Sequence, residues 1–203
     1  MKTANFLALS GGGARGRLEL DMLQYLYEKM GGKFFRHFDT ISGTSTGSLI
    51  TALLAVGNTP KQITDIYDKE LKNIFNKKFC RELVGKSKYS NEYMKGLATN
   101  LIGNKRLGDL VQQVAIPTVN SSKQETKIFK SYDEKDKDYF LVDVIIASSA
   151  APRYFPAHVL LGLSICKTSL PTTNNILSIF KPLVLSSIPL TPFKTLLTAI
   201  WLS

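Results

Sequence analysis

The amino-acid sequence predicts an α/β fold, a three-layer sandwich with a mostly parallel central sheet. Three observations indicate this class. Short apolar runs alternate with segments whose apolar residues recur every three to four positions, which is the order of strands and helices in parallel sheets. Two of the runs end in a glycine-rich turn that leads directly into a helical pattern. The 203 residues, 44% hydrophobic and 21% charged, are enough for one sizeable core.

The first strand–turn–helix unit occupies residues 4–32. Its apolar run, Ala4–Ser10, is typical of a short buried strand and ends at a cluster of glycines. Apolar side chains then recur at helical spacing until a pair of glycines ends the pattern. These side chains are Leu18, Met22, Leu26 and Met30.

A second unit repeats this arrangement in residues 38–57. Phe38–Ser42 is predicted as the second strand, and residues 43–47 form the turn after it. The helix that follows presents an apolar face and ends at Gly57. That face consists of Leu49, Ile50, Leu53 and Leu54.

The rest of the domain is predicted from proline positions and apolar spacing. Pro60 takes the first position of a helix that extends to about Leu71, where its fixed φ suits a helix start. The remaining predictions are an amphipathic helix at 91–102, strands at Val114–Val119 and Thr126–Ser131, a solvated loop at Asp133–Asp138, and a helix or buried segment at Phe140–Ala151.

The formal net charge of +10 points to an anionic partner or to a merely solvated basic surface. The lysines are scattered, and no basic stripe interleaved with aromatic residues stands out, so we expect no nucleic-acid partner. Anionic lipid headgroups fit the charge better. Cys80 and Cys166 lie far apart, outside any metal-type spacing, and are predicted to be reduced thiols.

The N-terminus does not have the pattern of a secretory signal, because Lys2 is followed only by the short apolar run Phe6–Leu9 and then by glycines. No window reaches the ~18 apolar residues that a membrane-spanning helix needs. We therefore expect a cytoplasmic protein whose membrane association, if any, is peripheral.

A Gly-x-Ser-x-Gly motif, formed by Gly43, Ser45 and Gly47, lies between the second predicted strand and its helix. A sharp strand-to-helix turn strains the serine backbone and presents the hydroxyl outward, while the glycines remove side chains that would clash. The following helix also directs the positive end of its dipole at the serine. The context indicates a nucleophilic serine at Ser45.

The glycine-rich turn of the first unit can gather backbone N–H groups around one small anion, such as the oxygen of a tetrahedral intermediate. The same G-x-G-x-x-G spacing also fits a dinucleotide-binding turn, with Asp39 near the expected acidic position. Asp39 lies at the start of the second strand rather than at its end, and a nucleotide site needs no serine turn. The candidate residues here are Gly11, Gly12, Gly13, Arg15 and Gly16.

Together these residues resemble the patatin-like phospholipase family. Residues 10–16 are similar to its oxyanion-hole motif, and residues 43–47 are similar to its nucleophile elbow. Residues 147–156 are similar to the segment that the family carries shortly before its catalytic aspartate. The resemblance covers about residues 3–158, and three motifs in the right order make it specific.

The resemblance implies hydrolysis of lipid esters, such as phospholipids or lysophospholipids, by a Ser–Asp dyad without histidine, metal or cofactor. Ser45 would attack the ester carbonyl to form an acyl-enzyme, and the aspartate would accept the serine proton and later activate water. The backbone of Gly12, Gly13 and Arg15 would donate to the oxyanion, and Arg15 would help meet the anionic lipid. An acyltransferase would use the same intermediate with a different acceptor.

The family's aspartate is expected in an Asp-Gly-Gly or Asp-Gly-Ala motif soon after Phe155-Pro156, but no aspartate follows Asp143. Residues 159–203 also contain no glutamate or arginine. We therefore expect an incomplete hydrolase domain at 3–158 and a tail at 159–203 that is not native to it, such as a shifted reading frame would produce. The alternative is a hydrophobic segment that packs or touches a membrane.

Three functional hypotheses remain: a lipid acyl hydrolase whose turnover is impaired because the aspartate is absent, an inactive remnant that binds lipid, and a dinucleotide-binding domain. A histidine could instead complete a triad, and the chain has only His37 and His158. His37 precedes the second strand, at the end away from Ser45, whereas His158 lies late in the chain, where α/β-hydrolases place theirs. We expect both to be ordinary surface or hydrogen-bonded histidines.

Overall fold

The computed structural model describes residues 5–31, 34–74, 91–120, 125–150, 155–160 and 163–167. Six strands and five α-helices lie within these ranges. The strands are β1 (Phe6–Leu9), β2 (Thr40–Gly43), β3 (Gln113–Asn120), β4 (Glu125–Lys130), β5 (His158–Leu160) and β6 (Leu163–Lys167). The helices are α1 (Gly16–Lys29), α2 (Thr46–Ala55), α3 (Pro60–Ile74), α4 (Asn91–Ile102) and α5 (Leu141–Ser149).

The first three strands are parallel neighbours, in the order β1-β2-β3. In this register Leu9 pairs with Gly43, so β1 and β2 end side by side. Each of these two strands is followed by a turn and a helix. The parallel arrangement therefore brings the two sequence motifs to the same edge of the sheet, where the carboxyl ends of parallel strands commonly form sites.

β3 is the central strand and has partners on both edges. β4 pairs with it antiparallel along Ala115–Asn120, whereas β2 and β6 share its other edge. Pro117 lies between the stretch paired with β2 and the stretch paired with β6. Because proline has no backbone N–H, it is tolerated at this gap in the ladder.

Two helices form the centre of the core. α2 is buried from Gly47 to Leu54, and α5 is buried over almost all of its length. Both helices pack on β3 and on each other, and their largely apolar sequences fit burial on all sides. α1 instead packs against α3 and presents only one apolar stripe, which includes Leu20 and Leu23.

The structure confirms the predicted α/β fold class, and each helix and strand named from the sequence between residues 4 and 149 is present. β2 begins at Thr40 rather than Phe38, because residues 34–37 form a 3₁₀ turn that buries Phe34. The charged loop at 133–138 is present, but Asp136 within it is buried rather than solvated.

β5 and β6 lie around and beyond the predicted boundary at residue 158, and β5 crosses it. Both strands join the sheet, β6 by pairing with Val119 and Asn120 of β3. Residues 168–203 lie outside the described residues, as do Cys80 and residues 151–154. The predicted tail therefore stays a prediction.

Candidate active site

The turn between β2 and α2 holds Ser45 in a strained backbone conformation. Its φ is 54° and its ψ is −120°, and it is the one non-glycine residue with positive φ in the described part of the chain. Such a conformation costs on the order of 1–3 kcal/mol and persists only where the surroundings enforce it. Ser45 is half-buried, and α2 begins at the next residue.

Two glycines of the motif allow this turn by leaving room for backbone. A Cβ on Gly43 would overlap the Gly47 carbonyl, and a Cβ on Gly47 would lie 2.6 Å from the Leu9 carbonyl oxygen. Neither neighbour is a side-chain end that can move aside. The spacing predicted for a nucleophile elbow is therefore sterically required in this fold.

The glycine turn after β1 lies directly beside the serine. A Cβ built on Gly11 would lie 3.1 Å from the Ser45 Cβ, and the Thr44 amide donates to the Leu9 carbonyl at 3.3 Å. Gly16 lies against the next residue, since a Cβ there would be 2.7 Å from Thr46 Cγ2. The two predicted motifs thus form one local site.

Backbone donors in this turn divide into free and engaged groups. The amides of Gly12 and Gly13 have no acceptor among the described residues, and Gly13 has a left-handed φ of 59°. The Arg15 amide donates to the Gly12 carbonyl at 3.3 Å. The 3₁₀ turn at Gly13–Arg15 thus uses the Arg15 N–H in this structure, and the expectation that the Arg15 backbone helps bind an oxyanion stays a prediction.

Helix α5 supports the elbow from inside the protein. The buried Ser148 hydroxyl accepts a hydrogen bond from the Ser45 amide at 3.1 Å and donates one to the Pro117 carbonyl at 2.8 Å. The hydroxyl of Ser48, in the first turn of α2, donates to the Ser45 carbonyl at 2.6 Å. The Ser45 backbone is thus held on both sides, while its hydroxyl makes no hydrogen bond to any described residue.

Two further side chains contact the glycine turn and were not found by sequence analysis. Glu19 Oε1 accepts hydrogen bonds from the Ser10 amide, at 2.8 Å, and from the Ser10 hydroxyl. The Tyr67 hydroxyl donates to the Gly13 carbonyl. Burial raises the pKa of Glu19, which the Ser10 bonds partly offset, and burial raises the pKa of Tyr67 to about 12.

Comparison with known protein families gives a match over most of the chain. Residues 7–166 match the family model described as patatin-like phospholipase. The chain belongs to the patatin-like phospholipase family.

Relatives of this patatin-like chain occur in plants and bacteria. It is 34% identical to patatin-like protein 2 of Arabidopsis thaliana, over 75% of this chain and 43% of that protein. It is 33% identical to a cGAMP-activated phospholipase of Pseudomonas aeruginosa, over 76% of this chain and 49% of that protein. The chain thus spans less than half the length of these relatives.

Solved structures show the same patatin-like fold. VipD from Legionella pneumophila aligns with a TM-score of 0.54 and 16% identity, over 82% of this chain and 46% of that one. A chain of the heterodimeric ExoU–SpcU complex from the type III secretion system of Pseudomonas aeruginosa aligns with a TM-score of 0.52 and 17% identity, over 79% and 38%. At such identities the likeness concerns the fold.

No carboxylate bonds to Ser45 within the described ranges. Asp143 is the last aspartate of the patatin-like chain, and its Oδ1 lies 3.0 Å from His158 Nε2 and 3.3 Å from Lys95 Nζ. It precedes Ser148 by five residues on α5, a rise of about 7.5 Å along the helix. Asp143 and His158 therefore form a pair of their own, which has no hydrogen bond to Ser45.

The remaining sequence candidates lie away from Ser45. The Asp39 carboxylate accepts from the Asn5 amide at 2.7 Å, at the amino end of β1 and β2 and opposite the glycine turn. A ribose bound at the turn would be out of its reach, which disfavours the dinucleotide hypothesis. His37 is exposed in the 3₁₀ turn before β2. No helix among the described residues is long and apolar enough to cross a membrane.

Proposed function

We propose that this chain is an acyl hydrolase domain that acts on phospholipid or lysophospholipid esters, with Ser45 as its nucleophile. One observation carries the proposal: Ser45 is held at φ 54° beside a glycine turn whose Gly12 and Gly13 amides are free among the described residues. A strained serine next to unpaired donors is the arrangement that acyl transfer requires. Family membership supports the ester substrate.

In the proposed reaction the Ser45 oxygen attacks the ester carbonyl carbon, and the carbonyl oxygen becomes an anion that accepts from the Gly12 and Gly13 amides. Each such donor is worth roughly 3 kcal/mol of transition-state stabilisation. Collapse of the intermediate breaks the ester bond, releases the alcohol or lysolipid and leaves an acyl-enzyme. Hydrolysis of that acyl-enzyme returns the free serine.

The proposal includes impaired turnover. The serine proton needs an acceptor, and the incoming water needs a base. No aspartate follows Asp143 in the sequence, and Asp143 itself is engaged by His158 and Lys95. We therefore expect slow acylation of Ser45 and little deacylation, with the site acting at the surface of a lipid assembly.

Covalent labelling tests the nucleophile separately from turnover. The chain is incubated with a fluorophosphonate probe, and Ser45→Ala is compared with Ser149→Ala, a buried serine of α5 outside the site. We expect one label per chain, retained in Ser149→Ala and lost in Ser45→Ala, with ester turnover near background. Absence of labelling in the unaltered chain would overturn the role of Ser45.

The same preparation separates the remaining hypotheses. Rapid ester turnover that Ser45→Ala abolishes would support the nucleophile and refute the impairment. Sedimentation with phospholipid vesicles, without labelling, would favour an inactive lipid-binding remnant. Measurable NAD(H) binding without labelling would favour the dinucleotide hypothesis, against the position of Asp39.

A further inference from the structure

Two side chains fix the two ends of the glycine turn. Glu19, in the first turn of α1, holds the amide and hydroxyl of Ser10 through its Oε1 atom. Tyr67, on α3, holds the Gly13 carbonyl through its hydroxyl. The free amides of Gly12 and Gly13 lie between these two contacts.

These contacts set the orientation of whole peptide groups. In a planar trans peptide the C=O of one residue and the N–H of the next point in opposite directions. Glu19 binds the N–H of the Leu9–Ser10 peptide, whose carbonyl accepts from the Thr44 amide. Tyr67 fixes the Gly13 carbonyl and with it the direction of the Ala14 amide.

Such fixation matters because the turn has little intrinsic preference. Gly11, Gly12 and Gly13 follow one another, and glycine samples more backbone conformations than any other residue. Holding each residue in one conformation costs about 1–2 kcal/mol of conformational entropy. Donors of an oxyanion site act only when they are already oriented before the charge develops.

We propose that Glu19 and Tyr67 are positioning residues, which hold the glycine turn beside Ser45 in one conformation and so keep the Gly12 and Gly13 amides available as oxyanion donors. The inference rests on the proposed function. Glu19 bonds to Ser10 and Tyr67 bonds to Gly13, and neither side chain hydrogen-bonds to Ser45, so each acts through the turn. Of the two carboxylate oxygens of Glu19, Oε1 accepts both bonds from Ser10, whereas Oε2 is buried without a hydrogen-bond partner among the described residues.

Conservative variants distinguish the acceptor from the charge. Glu19→Gln keeps an oxygen that can accept both Ser10 bonds, whereas Glu19→Leu removes it. Tyr67→Phe removes only the hydroxyl. Glu28→Gln on α1, where Glu28 accepts from Gln24, and Tyr25→Phe, with Tyr25 49% exposed, are the matched controls.

The main readout is the kinetics of fluorophosphonate labelling with the full chain. We expect kinact to fall about tenfold in Glu19→Leu and in Tyr67→Phe, the loss of roughly one hydrogen bond in the transition state. KI and the final labelled fraction should stay unchanged, and Glu19→Gln and both controls should match the unaltered chain. A merely structural role would lower the labelled fraction and leave kinact unchanged, and that result would overturn the inference.

Amide exchange tests the positioning even when the serine does not react. If the unaltered chain takes no label, the proposed function fails, and hydrogen exchange measured by NMR then decides the inference alone. Faster exchange at the Ser10 amide in Glu19→Leu, but not in Glu19→Gln, supports it. Equal exchange at Ser10 in all three proteins overturns it.

Discussion

At the scale of single residues, the site depends on positions where a side chain is forbidden. Gly43 and Gly47 face backbone across a turn that has no space for a Cβ. Because neither glycine has a Cβ, the backbone segments on the two sides of the turn can approach closely enough for Ser45 to adopt its positive φ. Ser45 is the residue that carries the proposed chemistry. The hydrogen-bonded pair of Glu19 and Ser10 adds a second constraint on the glycine turn. Glu19 accepts from Ser10 while its carboxyl is partly buried, and this burial raises its pKa.

The steric requirement at Gly43 predicts a large loss of stability on adding one methyl group. Gly43→Ala should lower the free energy of unfolding by about 3 kcal/mol or more, because its Cβ would overlap the Gly47 carbonyl. Gly96→Ala is the matched control in α4, where nothing lies within 4 Å. It should raise the free energy of unfolding by about 0.5–1 kcal/mol, since alanine is the better helix former. Urea unfolding measures both, and equal stability of the two variants would contradict the steric argument.

The buried carboxyl of Glu19 predicts a pH-dependent stability difference. Burial raises its pKa in the folded state, so its contribution is fully present below the pKa of an unfolded glutamate and is lost as pH rises through the folded pKa. Tyr67 of α3 is the titratable group on the facing helix that interacts electrostatically with Glu19. Glu19→Gln should therefore gain stability relative to the unaltered chain as the pH rises from below the ordinary glutamate pKa of 4.5 towards neutrality.

Urea midpoints taken across that pH range, with Glu28→Gln as the control, measure this difference. Glu28 is exposed on the same helix. A Glu19→Gln difference that does not rise above the Glu28→Gln difference as the pH increases would contradict the raised pKa of Glu19.

At the scale of elements, α5 connects the candidate site to the sheet. Ser148 links the Ser45 amide to the Pro117 carbonyl, so one hydroxyl joins α5, β3 and the elbow. The neighbouring Ser149 hydroxyl is equally buried but has no hydrogen-bond partner among the described residues. The two adjacent serines therefore have opposite energetic roles.

Alanine variants of the two serines should differ clearly in stability. Ser148→Ala leaves a buried donor and a buried acceptor unpaired, and should lower the free energy of unfolding by about 2–4 kcal/mol. Ser149→Ala removes an unpaired polar group, and should leave stability unchanged or raise it by up to about 1 kcal/mol. Thermal and urea unfolding compare the pair. Similar losses in both variants would show that α5 packing, rather than the Ser148 bridge, determines the effect.

At the scale of the whole molecule, the central strand β3 joins the parallel part of the sheet to the late strands. β2 and β6 pair with successive stretches of one β3 edge, and β5 extends the sheet beyond β6. Leu160 of β5 is 4% exposed and belongs to the core. The sheet therefore continues past residue 158, while the predicted domain boundary at 158 stays a prediction.

Two shortened chains test where this unit ends. A chain that stops at Lys167 keeps β5 and β6, and should unfold in one cooperative transition at a midpoint close to that of the full chain. A chain that stops at Ala157 loses both strands and the Leu160 side chain, which should cost at least about 2–5 kcal/mol. If instead the chain ending at Lys167 is unfolded, residues 168–203 belong to the cooperative unit and the predicted tail is wrong.

By itself, the sequence determined the repeated strand–turn–helix pattern, the glycine positions and Ser45. These follow from local rules: apolar spacing gives the elements, and glycine marks turns that no other residue fits. The resemblance that named the family also depended on short contiguous motifs, and the family is confirmed over residues 7–166.

Only the tertiary structure decided which distant side chains support those motifs. Tyr67 is 54 positions from Gly13, Ser148 is 103 positions from Ser45, and Asp136 reaches its buried ion pair with Lys127 by a loop reversal. None of these residues has a local signature, because a tyrosine, serine or aspartate on a helix or loop is usually solvated.

Packing also showed that the Arg15 amide is already bonded and that Asp143 is engaged by His158. Such pairings depend on the distances that folding creates between segments, and local spacing in a sequence does not encode those distances.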